Sequence, residues 1–179
     1  TLRRSVTGAL AAMGPADELV VVGDGPQPDA RRIMAEFDDA RVRYMETIPS
    51  RAWGCLQYDV GSAFATGDFL LFSTDDDLIY PTACEDIRTA VEGKADRVHI
   101  FRIHWLGSRT LGFCDSVCNV SAQQIVVPNG RLASWAKHAA SRTNDHEYLQ
   151  DAIALWGCKE YHPAIIGDMP QSNNGRERP

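Results

Sequence analysis

The chain has no cysteine pair at C-x-x-C spacing, and its five cysteines, Cys55, Cys84, Cys114, Cys118 and Cys158, are an odd number. Both facts argue against a disulfide framework and against a structural zinc site built on close cysteine pairs. The expectation is buried or free thiols in a reducing, cytoplasmic setting. No apolar run approaches the roughly 20 residues that span a bilayer, and no signal peptide is visible. Positive charge is also short: 18 Lys and Arg face 24 Asp and Glu, a formal net charge of -6. General nucleic-acid and membrane-surface binders carry a basic face, so neither partner is indicated. The first third is the relatively basic part, with Arg3, Arg4, Arg31, Arg32, Arg41, Arg43 and Arg51. A G-x-G-x-x-G fingerprint and a P-loop lysine are missing, so "GDGP" around Asp24 does not signal phosphate held by backbone amides.

What is present suits one compact domain: 179 residues, 44% of them apolar, with charge spread along the chain. "TLRRSVTGALAAM" places Leu2, Val6, Leu10 and Met13 at helical spacing. "ELVVV" reads as a buried strand, residues 30–37 as a helix and "RVRYMET" as a strand. A helix over 54–65 is followed by "DFLLFS", an unalternating strand whose two faces should both be covered. Pro81 suits the first position of a helix running to Val91. "RVHIFRIHWL" is a further strand, 107–127 is strand-rich without a clear parse, 145–156 is a helix and "PAIIGDM" a last strand. Helices alternating with continuous apolar strands predict a single-domain α/β/α sandwich around a mostly parallel sheet, over residues 1–170. Residues 171–179 form a polar tail, expected to be mobile.

Open α/β sheets bind ligands at the carboxyl ends of their strands. Asp24 stands at one such end, after "ELVVVG", and Asp75, Asp76 and Asp77 stand at another, after "DFLLFST". Three adjacent carboxylates repel one another, and a hard divalent cation bridging them to a diphosphate would relieve that repulsion. The simpler role is a solvated turn capping the helix that follows Pro81. An EF-hand fits poorly, because Ile79 occupies the next alternate position and the required glycine is absent. In "SRTNDHEYLQDA", Asn144 followed by Glu147 forms a capping pattern. Asp145 there serves either the helix terminus or, as a general base, the chemistry. His146 and His162 are possible metal or phosphate partners; the four tryptophans read first as packing residues.

In order, "ELVVVGDGPQPD", "AFATGDFLLFSTDDDLIYP" and "NDHEYLQDA" resemble family 2 glycosyltransferases of the GT-A, Rossmann-like fold. The acidic turn after the family's second strand corresponds to Val21-Val22-Gly23-Asp24-Gly25, and its A-x-G-D segment to Ala65-Thr66-Gly67-Asp68. The Asp-x-Asp motif corresponds to Asp75-Asp76-Asp77, with a trailing Pro81. The resemblance implies a metal-dependent, inverting hexosyl transfer from a nucleotide-sugar donor, a UDP-sugar favoured, to an acceptor hydroxyl. It implies that Asp24 contacts the nucleoside base and that Asp75 holds the ribose or helps position the metal. Asp76 and Asp77 would then contact Mn²⁺ or Mg²⁺, with His162 as a third ligand, and Asp145 would be the catalytic base. Two departures stand out. The family opens with a strand, whereas this chain opens inside what would be the helix after it. The family's R-N pair is replaced in Tyr58-Asp59-Val60-Gly61. The alternatives are a nucleotidyltransferase and a non-catalytic nucleotide-sugar-binding module.

Overall fold

The computed structural model describes residues 1–50, 52–106, 109–114, 116, 117 and 119–169; Cys118 and the polar tail lie outside them. Helical spacing of Val6, Ala9 and Ala12 gives α1 (Leu2–Ala12) its buried stripe. The β-branched run that follows forms β1 (Leu19–Gly23). After the short helix α2 (Pro28–Met34), β2 (Val42–Glu46) pairs with β1 in parallel, Leu19 opposite Val42. Then come α3 (Cys55–Phe64), β3 (Phe69–Leu71), the two-residue β4 (Leu78–Ile79) and α4 (Ala83–Val91). The remaining elements are β5 (Val98–Trp105), β6 (Arg109–Leu111), β7 (Ile125–Pro128), α5 (Asn144–Trp156) and β8 (Lys159–Met169).

The larger sheet runs β3-β7-β5-β8-β4, with β6 paired to β5. Side chains alternate along β5. Val98 and Ile100 join the core under α3 and α5, with Leu70, Phe72, Trp135, Tyr148 and Leu149. Phe101 and Ile103 join the opposite core under α4, with Ile87, Val91, Val126 and Ile166. The expected α/β/α sandwich is therefore present, with helices covering both faces.

The strand directions correct the sequence-based expectation. Only β1–β2 and β5–β8 are parallel; β3–β7, β5–β7, β5–β6 and β4–β8 are antiparallel. The antiparallel partners β6 and β7 arise from the segment that sequence pattern left unparsed, and β7 inserts between β3 and β5. The last strand also starts earlier than "PAIIGDM". β8 carries a register shift that places Tyr161 opposite Ile100 but Ile165 opposite Arg102. Pro163 lies inside that irregularity, where its lack of an N–H is tolerated. Among the described residues no strand precedes α1, and the β1–β2 pair is not hydrogen-bonded to the larger sheet. No helix among them is long and apolar enough to cross a membrane. Cys55, Cys84 and Cys158 are free thiols.

Candidate active site

The aspartate triplet lies in a turn between β3 and β4. The Asp77 backbone N–H donates to the Thr74 carbonyl at 3.3 Å. In return the Asp77 carboxylate accepts the Thr74 backbone N–H at 2.9 Å and the Thr74 hydroxyl at 2.8 Å. This closed turn, not an extended segment, decides where the carboxylates point. Asp77 is turned inward and is 3% exposed, whereas Asp75 is exposed and Asp76 half-buried. Helix α1 clasps the turn from the other side: the Ser5 hydroxyl reaches the Asp77 carbonyl at 2.8 Å, and the Thr1 hydroxyl donates to Asp75 at 3.2 Å. The aspartates do not cap α4, whose N-cap is Thr82.

Behind the turn, β4 pairs with β8 so closely that glycine is required at position 167. A Cβ there would sit 2.5 Å from the Leu78 carbonyl oxygen. Gln123 donates to that same carbonyl at 3.2 Å, fixing the strand that leaves Asp77.

Helix α3 joins the separate parts of the site. Gln57 donates to Asp24 Oδ1 at 3.0 Å, and Ser50 reaches the same oxygen through its backbone N–H at 2.6 Å. Asp24 therefore sits at the end of β1 as expected, gripped by groups from the loop after β2 and from α3. Cys55 accepts a hydrogen bond from Asn144 Nδ2 at 3.2 Å, while Asn144 Oδ1 takes the Asp145 backbone N–H at 2.9 Å. Asp59 accepts the Trp135 N–H at 2.7 Å and the Ala136 N–H at 3.0 Å, which fixes the buried Trp135 ring. Tyr58 packs against that ring and against Phe72, with centroids 4.8 and 5.4 Å away.

Electrostatics ties these pieces into one cluster. Burial pushes the Asp77 carboxyl up to about 6; the Thr74 hydrogen bonds oppose that rise, and the charges of Asp76 and Asp145 add to it. The Tyr58 phenol is held well above its ordinary value, by burial first and then by Asp145, Asp77, Cys55 and Asp76. Asp76 and Asp145 thus both act on Asp77 and on Tyr58, near the carboxyl end of β3.

The sequence pattern gives residues 58–61 only as a departure from the family and assigns no site role to Cys55, Gln57 or Tyr58. Their signal was their place on the helix leading to the "ATGD" segment. The predicted Asn144–Glu147 capping box does not form. The N-cap is Thr143, because Glu147 instead accepts the hydroxyls of Ser141 at 2.8 Å and Thr143 at 3.0 Å.

The donor set suits a hard divalent cation, since it consists of carboxylate oxygens. The oxygens are not gathered into a closed cage. Such sites need only one or two carboxylates and complete their shell with phosphate and water. His162 does not join them. Gly167 and Asp168 of β8 stand opposite Ile79 and Leu78, next to Asp77. His162 lies five residues earlier on that strand, roughly 16 Å away along extended chain. There it bonds His99 at 2.9 Å, so the implied third ligand is outside the acid cluster.

Asp77 yields a signed prediction. Its folded value, about 6, lies above the ordinary 3.8 of an aspartate. Both states hold the proton below pH 3.8; between there and about 6 the unfolded chain releases it first, so stability falls as pH rises through that window. Asp77→Asn keeps the Thr74 hydrogen bonds and removes this loss. It is expected to raise stability at pH 7.5 by about 1–3 kcal/mol. Denaturant melts of the two proteins at pH 7.5 test this; a variant no more stable than wild type refutes this account.

The family described as "Glycosyl transferase family 2" matches residues 1–111 of the 179. Among solved structures, the crystal structure of S. aureus TarS 1-349 is similar, with TM-score 0.75 and 12% identity over 94% of this chain and 56% of that one. TarS 1-349 in complex with UDP gives TM-score 0.73 and 12% identity over 94% and 56%. The complex with UDP-GlcNAc gives 0.73 and 12% over 95% and 54%. The chain thus spans about half the length of these TarS chains. No curated protein sequence matches it. At such identities the TarS likeness is one of fold; the family match, which covers more than half of the sequence and includes the acidic turn and the aspartate triplet, supports the stronger conclusion that the chain belongs to glycosyl transferase family 2.

Proposed function

We propose that the chain performs metal-dependent, inverting transfer of a hexosyl unit from a nucleotide-sugar to an acceptor hydroxyl. The observation that carries this reading is the convergence of the aspartate turn with the start of α5, where Asn144 ties Asp145 to Cys55 of α3 and the charge of Asp145 reaches Asp77 and Tyr58. A UDP-sugar is the favoured donor, because TarS was crystallised with UDP and with UDP-GlcNAc. Mn²⁺ or Mg²⁺, held by Asp76 and Asp77, would neutralise charge on the departing diphosphate.

The remaining roles belong to the chain's own groups. Asp24, fixed through one oxygen by Ser50 and Gln57, turns toward the nucleoside base. Asp75, at the solvent side of the turn, holds the ribose. Asp145 accepts the proton of the acceptor hydroxyl as that oxygen forms its bond to the anomeric carbon and the bond to the diphosphate oxygen breaks. A single displacement of this kind inverts the anomeric centre. Phe72, Trp135 and Tyr148, with the partly buried Tyr58, pack into an aromatic floor that joins α3, the end of β3 and α5.

A thermal-shift panel of UDP-, GDP- and dTDP-sugars with and without Mn²⁺ tests the donor assignment. Ligand at about 100 times its Kd adds about 2.7 kcal/mol to the folded state, which corresponds to roughly 5–10 °C for a domain of this size. The expected pattern is a shift with UDP-sugar plus Mn²⁺ that Asp76→Ala abolishes. Equal shifts in wild type and Asp76→Ala would remove Asp76 from the donor site.

A further inference from the structure

His99, Glu160 and His162 form a second group of ligand-type side chains, unrelated to the carboxylate cluster. His99 is fully buried near the start of β5, and His162 is 7% exposed near the start of β8. Parallel pairing sets His99 opposite Glu160, and Glu160 and His162 share a face because they are two residues apart on a strand. One ligand atom from each residue lies within 4.8 Å of the others. Phe101 stacks on His162 at 4.6 Å, and Phe69 meets His99 edge-on at 5.9 Å, so the ring positions are fixed by packing.

The hydrogen bonds also fix the protons. His99 Nε2 lies 3.0 Å from the Lys94 carbonyl oxygen. A carbonyl accepts only, so Nε2 carries the hydrogen and the neutral ring turns the lone pair of Nδ1 toward His162 Nε2. A histidine whose far nitrogen donates to a backbone carbonyl is oriented as metal-bound histidines are. The two facing nitrogens are 2.9 Å apart. Two nitrogens on one tetrahedral Zn²⁺, each about 2.0–2.1 Å from it, are separated by roughly 3.4 Å. A separation of a few tenths of an ångström therefore admits the ion, with the His162 Nε2 proton moving through solvent to its Nδ1.

We propose that His99, Glu160 and His162 form a binding site for a first-row divalent metal of the zinc type, clipping β5 to β8 at the end of the sheet away from the aspartate turn. Two neutral imidazoles and one carboxylate, with water in the fourth position, are a donor set that zinc takes. The groups facing Glu160 from neighbouring segments are Lys94 at 2.8 Å and Arg97 at 3.4 Å. These cations compete for the same carboxylate. Both side chains are partly exposed, at 38% and 34%, so water can receive them when the metal displaces them. The site stands independently of glycosyl transfer.

The test is calorimetric titration of the whole chain with ZnCl₂ in excess Mg²⁺, which occupies the hard-oxygen site. Wild type is expected to take up a zinc equivalent that His162→Gln weakens at least tenfold. Lys94→Met removes a competing cation but keeps the carbonyl that orients His99; it is expected to tighten Zn²⁺ several-fold. Co²⁺ is expected to give the visible absorption of a tetrahedral nitrogen–oxygen site in wild type and Lys94→Met. Zinc affinity within twofold of wild type in a folded His162→Gln overturns the proposal. Should His162→Gln not fold, weaker or unchanged Zn²⁺ binding by Lys94→Met, or octahedral Co²⁺ in both proteins, overturns it equally.

Discussion

Asp145→Asn is expected to lower the turnover of sugar transfer by about 10²–10⁴-fold, the usual contribution of a positioned general base. Asparagine has nearly the shape of aspartate but cannot accept the acceptor hydroxyl's proton. The backbone of residue 145 stays where Asn144 Oδ1 and the Asn144–Cys55 contact put it, so helix α5 is undisturbed. The loss should therefore fall on kcat, while the thermal shift produced by UDP-sugar and Mn²⁺ survives. Steady-state kinetics beside the thermal shift separate the two effects. A variant within threefold of wild-type kcat would show that the proton goes elsewhere.

Trp135→Ala is expected to destabilise the chain by about 3–5 kcal/mol, the range for deleting a buried tryptophan ring. For a domain of this size that is a fall in Tm of roughly 6–20 °C. The ring is fully buried and stacks face to face on Tyr148 with centroids 3.7 Å apart. It also meets Phe72 edge-on at 5.1 Å and Tyr58 at 4.8 Å. Neighbouring groups cannot collapse into the space, because the loop that carries Trp135 is clamped on two sides. Asp59 of α3 holds its backbone, and Glu147 and Asp151 of α5 hold His138 at 3.1 and 2.9 Å. Trp135→Phe should lose only part of this stability. Thermal denaturation of the three proteins decides the matter; a Tm drop below 3 °C for the alanine variant would mean the aromatic floor is not a keystone.

The sequence carried the local elements well where the pattern was strong. Helices α1, α3 and α5 and strands β1, β2 and β5 lie within a residue or two of their expected bounds, because each carries a stripe or run of the right period, although β1, expected to be buried, is only half-buried along its length. The position of Asp24 and Asp75–Asp77 at strand ends was legible for the same reason. Pairing was not. β4 is two residues long, β6 is three and β7 is four, too short to show a period, and their antiparallel registers are long-range facts. Side-chain direction inside the acidic turn was also hidden. Alternation assumes extended chain, whereas Thr74 folds the segment back and buries Asp77. The role of α3 escaped for a different reason: Cys55, Gln57, Tyr58 and Asp59 each serve a partner distant in sequence. His162 misled because a histidine's type says nothing about which end of a strand it occupies.

The separation of β1–β2 from the larger sheet bears on solubility. Among the described residues β1 bonds only β2, and its Leu-Val-Val-Val run is half-buried across its length; β3 likewise bonds only β7 among them. Open strand edges recruit other strands, and natural proteins blunt them with lysine, proline or bulges. Leu19–Val22 has no such guard. What opposes pairing between copies is the net charge of -6, a repulsion that salt screens. Among the described residues these two edges are open to whatever strand pairs with them, from this chain or from another, and salt sets how strongly copies of the chain repel one another.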